Sequence, residues 1–503
     1  MNMAQLSCFS LLVWAVGSAG CKGPDPAETD ISDTDDTGTK PLAPDVFFGF
    51  SMVNGKDNEV DREMIAYFDP KWVSLQPHIL WFQIEKEPDV YDWSALDAEI
   101  TWLQSQNLDM VLLHVYPFNT FDIDERKEIL ATLEQIQEDQ NYESLGGAFL
   151  YWKRQMNGPA QYDMEVDFFD PTAELTVRYV AFTKAATERY DGDGIDDMPG
   201  LTVPIKNHEF EREYSSGEKA DRYLASLELL SPTIKEADPE ALIIAIGLHT
   251  KYGRLFAYVD GFIDDPDAGV WRYGDATEGT QYTKEALANS DMVKEAKGQF
   301  EKMLGEGYPH YDVVDFHLYS EKETFIDGLI DYVNHVVSDQ GSRATKPIWC
   351  TEGGGPFKNA PGVYHESGDP YFGWMTLREN AEWAVKSHVL SAGRGMERQH
   401  GAWGIKYTCG GGGEGYWQGP WQAIDDIAPC DVKKPAYYTF KILREQLRDF
   451  EVGKVTDHSD GSLRIFEFNT PTKVVYVLWD VEGDDYVERD LSLLFQGDVE
   501  VTY

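Results

Sequence analysis

The stretch Lys346-Pro347-Ile348-Trp349-Cys350-Thr351-Glu352-Gly353-Gly354-Gly355 is a short apolar run that ends on a carboxylate and opens into a glycine loop. Strict strand alternation puts Ile348, Cys350 and Glu352 on one side and Trp349 and Thr351 on the other. An acid on the inner face, at the carboxyl end of a strand, stands where parallel α/β barrels carry their chemistry. The expectation is a barrel strand that turns the Glu352 side inward.

The flanking chain repeats this grammar. Short apolar runs alternate with amphipathic helical stretches from residue 46 to about 445, the pattern of parallel βα units. Expected strands are Val46–Phe50, Trp72–Leu75, Met110–Val115, Ile205–Phe210, Leu242–Ile246, Val313–Leu318, Ile348–Thr351 and Ala402–Tyr407. Eight strands over this length predict a (β/α)8 TIM barrel spanning 45–447, with long βα loops. Helices are expected over Asp221–Lys235 and Leu377–Leu390. Beyond the barrel, Leu463–Phe468 alternates and Val474–Trp479 is densely β-forming, so 448–503 reads as a small C-terminal β accessory domain.

The 503 residues carry 43 basic and 88 acidic side chains, a net charge of −45. Such a charge repels nucleic acid and anionic membrane surfaces, so no nucleic-acid partner is expected. Residues 1–20 contain the apolar core Leu11–Val16 and the small residues Gly17–Gly20 before Cys21, which resembles a lipoprotein-type export signal with Cys21 as the lipidated residue. No Lys or Arg precedes that core, and Ser18 stands where Leu is usual. The expected location is outside the cytoplasm, at the outer membrane or cell surface, with the membrane reached by the lipid anchor only. Residues 21–44 are acidic, small and free of aromatics, a flexible tether. An oxidising compartment permits a Cys409–Cys430 disulfide and leaves Cys350 alone on its strand, as a packed barrel thiol.

Several polar residues fall in register at strand ends. On the sixth strand Val314, Phe316 and Leu318 form the face that packs on helices, and Asp315, His317 and Tyr319 point into the barrel near its mouth. His317 and Tyr319 are candidate substrate-binding residues. The Asp191–Asp197 run alternates acids with glycine as hard-cation loops do, which makes Asp191, Asp193, Asp196 and Asp197 candidate ligands of a structural Ca2+. A surface turn explains the same run. Glycines 410–413 lead into Tyr416, Trp417, Gln418 and Trp421, an aromatic loop whose Trp417 indole suits either a sugar ring or the barrel rim.

The passage Trp81-Phe82-Gln83-Ile84-Glu85-Lys86-Glu87-Pro88, followed by Tyr91-Asp92-Trp93-Ser94-Ala95-Leu96-Asp97, resembles a distinctive passage of clan A glycoside hydrolases. Within it Ser94 is placed to cap a helix, with Asp97 completing a capping box. The Glu352 stretch resembles the nucleophile strand of the same enzymes, and Ser231–Pro239 with Val314–Tyr319 resembles their β-xylosidase and α-L-iduronidase branch. The resemblance implies a retaining mechanism that needs two carboxyl groups about 5–5.5 Å apart and no cofactor for catalysis. It casts Glu352 as nucleophile. The second acid is sought in Pro204-Ile205-Lys206-Asn207-His208-Glu209-Phe210-Glu211-Arg212-Glu213, where the family register favours Glu213 and a looser alignment uses Glu209. Arg212 then replaces the family Asn that binds the sugar 2-hydroxyl, and Ser74 stands where a second-strand Arg is usual.

The expected function is an exported retaining glycoside hydrolase acting on a poly- or oligosaccharide. One alternative is a catalytically altered barrel that binds glycans at the cell surface. Another gives Arg212 the carboxylate of a uronic acid to bind. A guanidinium beside Glu213 would lower the acid's pKa, which opposes a general-acid role.

Overall fold

A computed structural model of the chain describes residues 13–17, 46–53, 56, 59–75, 81–114, 117, 119, 126–139, 166–210, 220–269, 281–319, 322–354, 377–400, 435–481 and 499–502. Eight parallel strands close into a barrel: β1 Phe48–Val53, β2 Trp72–Leu75, β3 Asp109–His114, β4 Asn207–Phe210, β5 Leu242–His249, β6 Val313–Tyr319, β7 Ile348–Gly354 and β8 Arg398–His400. Strand β8 closes the circle by pairing with β7 on one side and β1 on the other. The (β/α)8 expectation holds.

The inside of the barrel is a packed layer, as small barrels require. Trp72, Val111, Ile244, Val313 and Trp349 fill it from β2, β3, β5, β6 and β7. Gly49 on β1 pairs in register with Trp72. A Cβ at Gly49 would overlap the Trp72 indole, so the ring lies where that side chain would stand. The opposite parity, including Val73, Met110, Leu112, Ile243, Ala245, Val314, Phe316, Ile348 and Cys350, belongs to the large core between barrel and helices. At roughly 25 cal/mol per Å² of buried apolar surface, this shell is the main source of stability.

Three expectations are corrected here. Ile348 and Cys350 face the helices, and Trp349 faces inward. The closing strand is Arg398–His400, ahead of Ala402–Tyr407, which lies outside the described residues. Arg398 stacks its guanidinium 4.0 Å over Trp349 and pairs with Asp109 at 2.7 Å, so a polar residue fills a barrel position that hydropathy reads as loop. Finally, the capping box does not form: helix Ser94–Ser105 starts after Trp93 with no side-chain cap. Ser94 instead donates to Asp92, and the Asp97 carboxylate accepts from Arg189 Nε at 2.9 Å and Tyr190 Oη at 2.8 Å.

The expected helices run over Ala220–Ala237 and Leu377–Gly393. After helix Pro435–Gln446, the C-terminal residues form an antiparallel sheet in the order Thr456–Asp457, Leu463–Asn469, Val474–Asp480, Val13–Gly17, Val499–Thr502. Part of the apolar run expected to serve as export signal is thus paired as a strand of this sheet. Phe466, Phe468, Val475, Val477 and Trp479 join the core shared with the barrel. Among the described residues no helix is long and apolar enough to cross a membrane.

Candidate active site

In a parallel barrel all strands point their carboxyl ends the same way, and residues at those ends converge on one mouth. Strands β6 and β7 build the centre of this one. Their ladder runs Ile348↔Val314, Trp349↔Asp315, Cys350↔Phe316, then jumps to Glu352↔His317. One extra residue, Thr351, sits between Cys350 and Glu352 as a β-bulge. A bulge breaks the two-residue alternation. Glu352 therefore shares the inward parity of Trp349, although strict counting would send it outward with Cys350. The inward placement of Glu352 was expected; the alternation offered as its reason was not the cause.

Strand β5 has a similar shift between Ala245 and Leu248, after which His249 stands opposite His317. His317 is thus flanked by His249 on β5 and Glu352 on β7. His317 Nδ1 lies 3.9 Å from Glu352 Oε2, and His317 Nε2 lies 3.3 Å from Asp315 Oδ2. His317 and Asp315 are fully buried, whereas the Glu352 side chain keeps 14% exposure. Depth therefore sorts the group: Asp315 at the floor, His317 above it, Glu352 open to the mouth.

Asp315 is held by β7 itself. Thr351 donates its backbone N–H to Asp315 Oδ1 and its hydroxyl to Asp315 Oδ2, both at 2.8 Å. Burial pushes the Asp315 carboxyl up, while hydrogen bonds from His317 and Thr351 draw it back. Glu209 on β4 completes the cluster. One polar atom each of Glu209, Asp315 and His317 lies within 4.8 Å of the other two, and all three residues are buried. Such a set has metal-ligand chemistry, but the Asp315 oxygens already receive both Thr351 donors.

The other expected residues fall as follows. Tyr319 ends β6 opposite Gly354. Ser74 is buried on the same strand parity as Trp72. Arg212, Glu213, Trp417, Cys21, Cys409 and Cys430 lie outside the described residues. Cys350 is a buried thiol whose Sγ donates to the Glu352 carbonyl at 3.1 Å. In the acidic run, Asp191 and Asp193 gather with Glu188, which the sequence did not single out. Three acids of the run accept backbone N–H groups of the turn: Asp191 from Asp193 at 3.1 Å, Asp193 from Ile195 at 2.7 Å, and Asp197 from Gly192 at 3.1 Å and Gly194 at 2.8 Å; Asp196 adopts φ +53°. Burial, and then the carboxylates of Asp193, Asp197 and Asp238, raise Asp191 to about 6, with the Asp193 N–H opposing them.

The sequence missed Thr351 and His249. Both follow register shifts, which leave no mark in hydropathy. The one available signal was length: β5 runs on to His249, beyond the expected end at Ile246.

No protein-family model and no curated protein sequence matches this chain. Among solved structures it is similar to a family 39 glycoside hydrolase from the gut symbiont Bacteroides cellulosilyticus WH2, at 11% identity and a TM-score of 0.49, over 87% of this chain and 71% of that one. It is similar to native xylanase 10B from Thermotoga maritima at 14% identity and a TM-score of 0.42, over 80% and 95% of the two chains. A monomeric β-xylosidase from Caulobacter crescentus CB15 shares 12% identity at a TM-score of 0.43, over 86% and 74%.

Proposed function

We propose that this chain is an exported, lipid-anchored glycoside hydrolase that cleaves a poly- or oligosaccharide by a retaining double displacement; processing ahead of Cys21 would remove the Val13–Gly17 strand from the C-terminal sheet. The observation that carries the reading is Glu352, turned into the barrel mouth by the Thr351 bulge and faced by His317. In this mechanism a Glu352 oxygen attacks the anomeric carbon while a second acid protonates the departing oxygen. Water, deprotonated by that same second group, then releases the sugar from Glu352.

Glu213 is the better second acid. A general acid must reach the glycosidic oxygen, and Glu209 is buried in the floor with Asp315 and His317. Glu213 lies four residues further toward the carboxyl end of the same segment. The chemistry needs no metal. We propose a structural calcium site at Glu188, Asp191 and Asp193, so chelation should lower thermal stability and leave turnover unchanged.

A panel of aryl glycosides, uronides included, tests the reading. Turnover should be present in the native chain and absent in Glu352→Gln. No turnover on any member, with binding to glycans retained, would support the binding-only alternative.

A further inference from the structure

We propose that Asp315 is a positioning residue for Glu352, acting by clamping the β-bulge at Thr351; the catalytic part of this inference rests on Glu352 being the nucleophile. Strand β7 meets two demands that a regular strand cannot meet together. Its first half must put Ile348 and Cys350 into the apolar core shared with the helices and Trp349 into the barrel. Its end must put Glu352 into the barrel as well. Continued alternation would drive the Glu352 carboxylate among those apolar side chains, where an unpaired charge is strongly disfavoured. One inserted residue reverses the parity.

A bulge leaves its extra residue outside the regular ladder. Here both donors of that residue, the Thr351 N–H and hydroxyl, go to the two oxygens of Asp315. Asp315 stands opposite Trp349, below the bulge, on the neighbouring strand. The same carboxylate faces His317 Nε2, so a single buried group fixes the bulge and turns the ring that meets Glu352. The backbone just beyond is closely packed. A Cβ on Gly353 would come within 2.9 Å of the Leu318 carbonyl oxygen and 3.2 Å of Cys350 Sγ. The bulged strand therefore has little room to relax on its own, and Asp315 decides which of the two parities it takes.

The test uses Asp315→Ala, Asp315→Asn and Thr351→Val in the full chain. Glycoside turnover should fall by about 10²-fold or more in kcat for Asp315→Ala, with KM changed less than about threefold, because a displaced nucleophile loses its alignment while the sugar still binds. Thr351→Val keeps the backbone contact alone, and Asp315→Asn keeps an acceptor for the Thr351 N–H while its amide donates to the Thr351 hydroxyl in reversed direction but gives up the charge, so both should lose less. A crystal structure of Asp315→Ala should show Glu352 turned away from His317. Should Asp315→Ala not fold, the ranking of the two milder variants and their structures decide the matter. Native kcat in Asp315→Ala, or milder variants indistinguishable from the native chain in both rate and Glu352 orientation, would overturn the proposal. If the native chain turns over no glycoside, the nucleophile assignment fails by itself. The clamp is then judged on the orientation of Glu352 alone, and an unchanged Glu352 in Asp315→Ala sinks it.

Discussion

Glu352 stands opposite His317 only because Thr351 is skipped in the pairing of β7 with β6. Three residues earlier on β7 and two earlier on β6, Trp349 stands opposite Asp315 in ordinary register. The shift brings the carboxylate and the imidazole to 3.9 Å at the mouth, above a floor of buried Asp315 and Glu209. The strand changes from packing element to site-bearing element within one residue.

Replacing Glu352 by Gln should lower turnover by roughly 10⁴-fold or more, since the proposed covalent step would lose its nucleophile. Steady-state rates on an activated aryl glycoside check this. A loss of less than tenfold would remove Glu352 from the mechanism.

The two candidate acids separate by different failures. Glu213→Ala should lose turnover and recover part of it with azide, which replaces the missing base in the second step. Glu209→Ala should instead destabilise the fold by about 1–3 kcal/mol, because its buried neighbours lose a partner, and azide should restore nothing. Azide titration with urea unfolding of both variants distinguishes them, and rescue of Glu209→Ala alone would exchange the roles.

Gly49→Ala should cost about 2–3 kcal/mol by overpacking. The added methyl meets the Trp72 indole, and that ring is held in the inner layer with its Nε1–H donated to the Phe47 carbonyl at 3.3 Å. The urea midpoint measures the loss. A native midpoint would mean that the layer yields easily.

Stability should fall with acid through a buried histidine pair. His114 Nε2 and His208 Nδ1 lie 2.9 Å apart, both fully buried and stacked. Burial holds His114 well below its ordinary value, with His208 adding to the effect, and burial with Lys235 and Lys206 holds His208 down to about 3. Both are neutral when folded and protonate near 6.5 when unfolded, so their contribution is complete above about 6.5 and shrinks as pH falls toward 3. The slope approaches about 1.4 kcal/mol per pH unit for each histidine. Unfolding curves at pH 7.5, 6 and 5 should show it, and the paired change His114→Phe with His208→Leu should flatten it.

The C-terminal sheet docks through Glu323, whose carboxylate accepts Trp479 Nε1–H at 2.8 Å with Lys386 and Arg464 each 3.6 Å away. Glu323→Ala leaves the buried Trp479 Nε1–H without its acceptor, while Arg464 keeps Asp327 at 3.4 Å, and should cost about 1–3 kcal/mol. Trp479 is buried, so a red-shifted tryptophan emission before global unfolding would report the sheet lifting from the barrel.

The alternation of short apolar runs with helical stretches was enough to predict a (β/α)8 barrel, and the sixth-strand parity of Val314, Phe316 and Leu318 against Asp315 and His317 was legible residue by residue. Those features arise from local periodicity, which a sequence carries directly. The acid on the Ile348–Glu352 run was legible too. What it could not show was why that acid points inward, because a bulge is a disagreement between two strands about register, and neither strand contains it alone. The same holds for Arg398, which reads as loop until Trp349 and Asp109 are placed beside it, and for His249, which meets His317 only after β5 shifts. Sequence determined the barrel and named its carboxylate. The tertiary structure decided which way that carboxylate faces, because side-chain parity after a bulge depends on the partner strand's count.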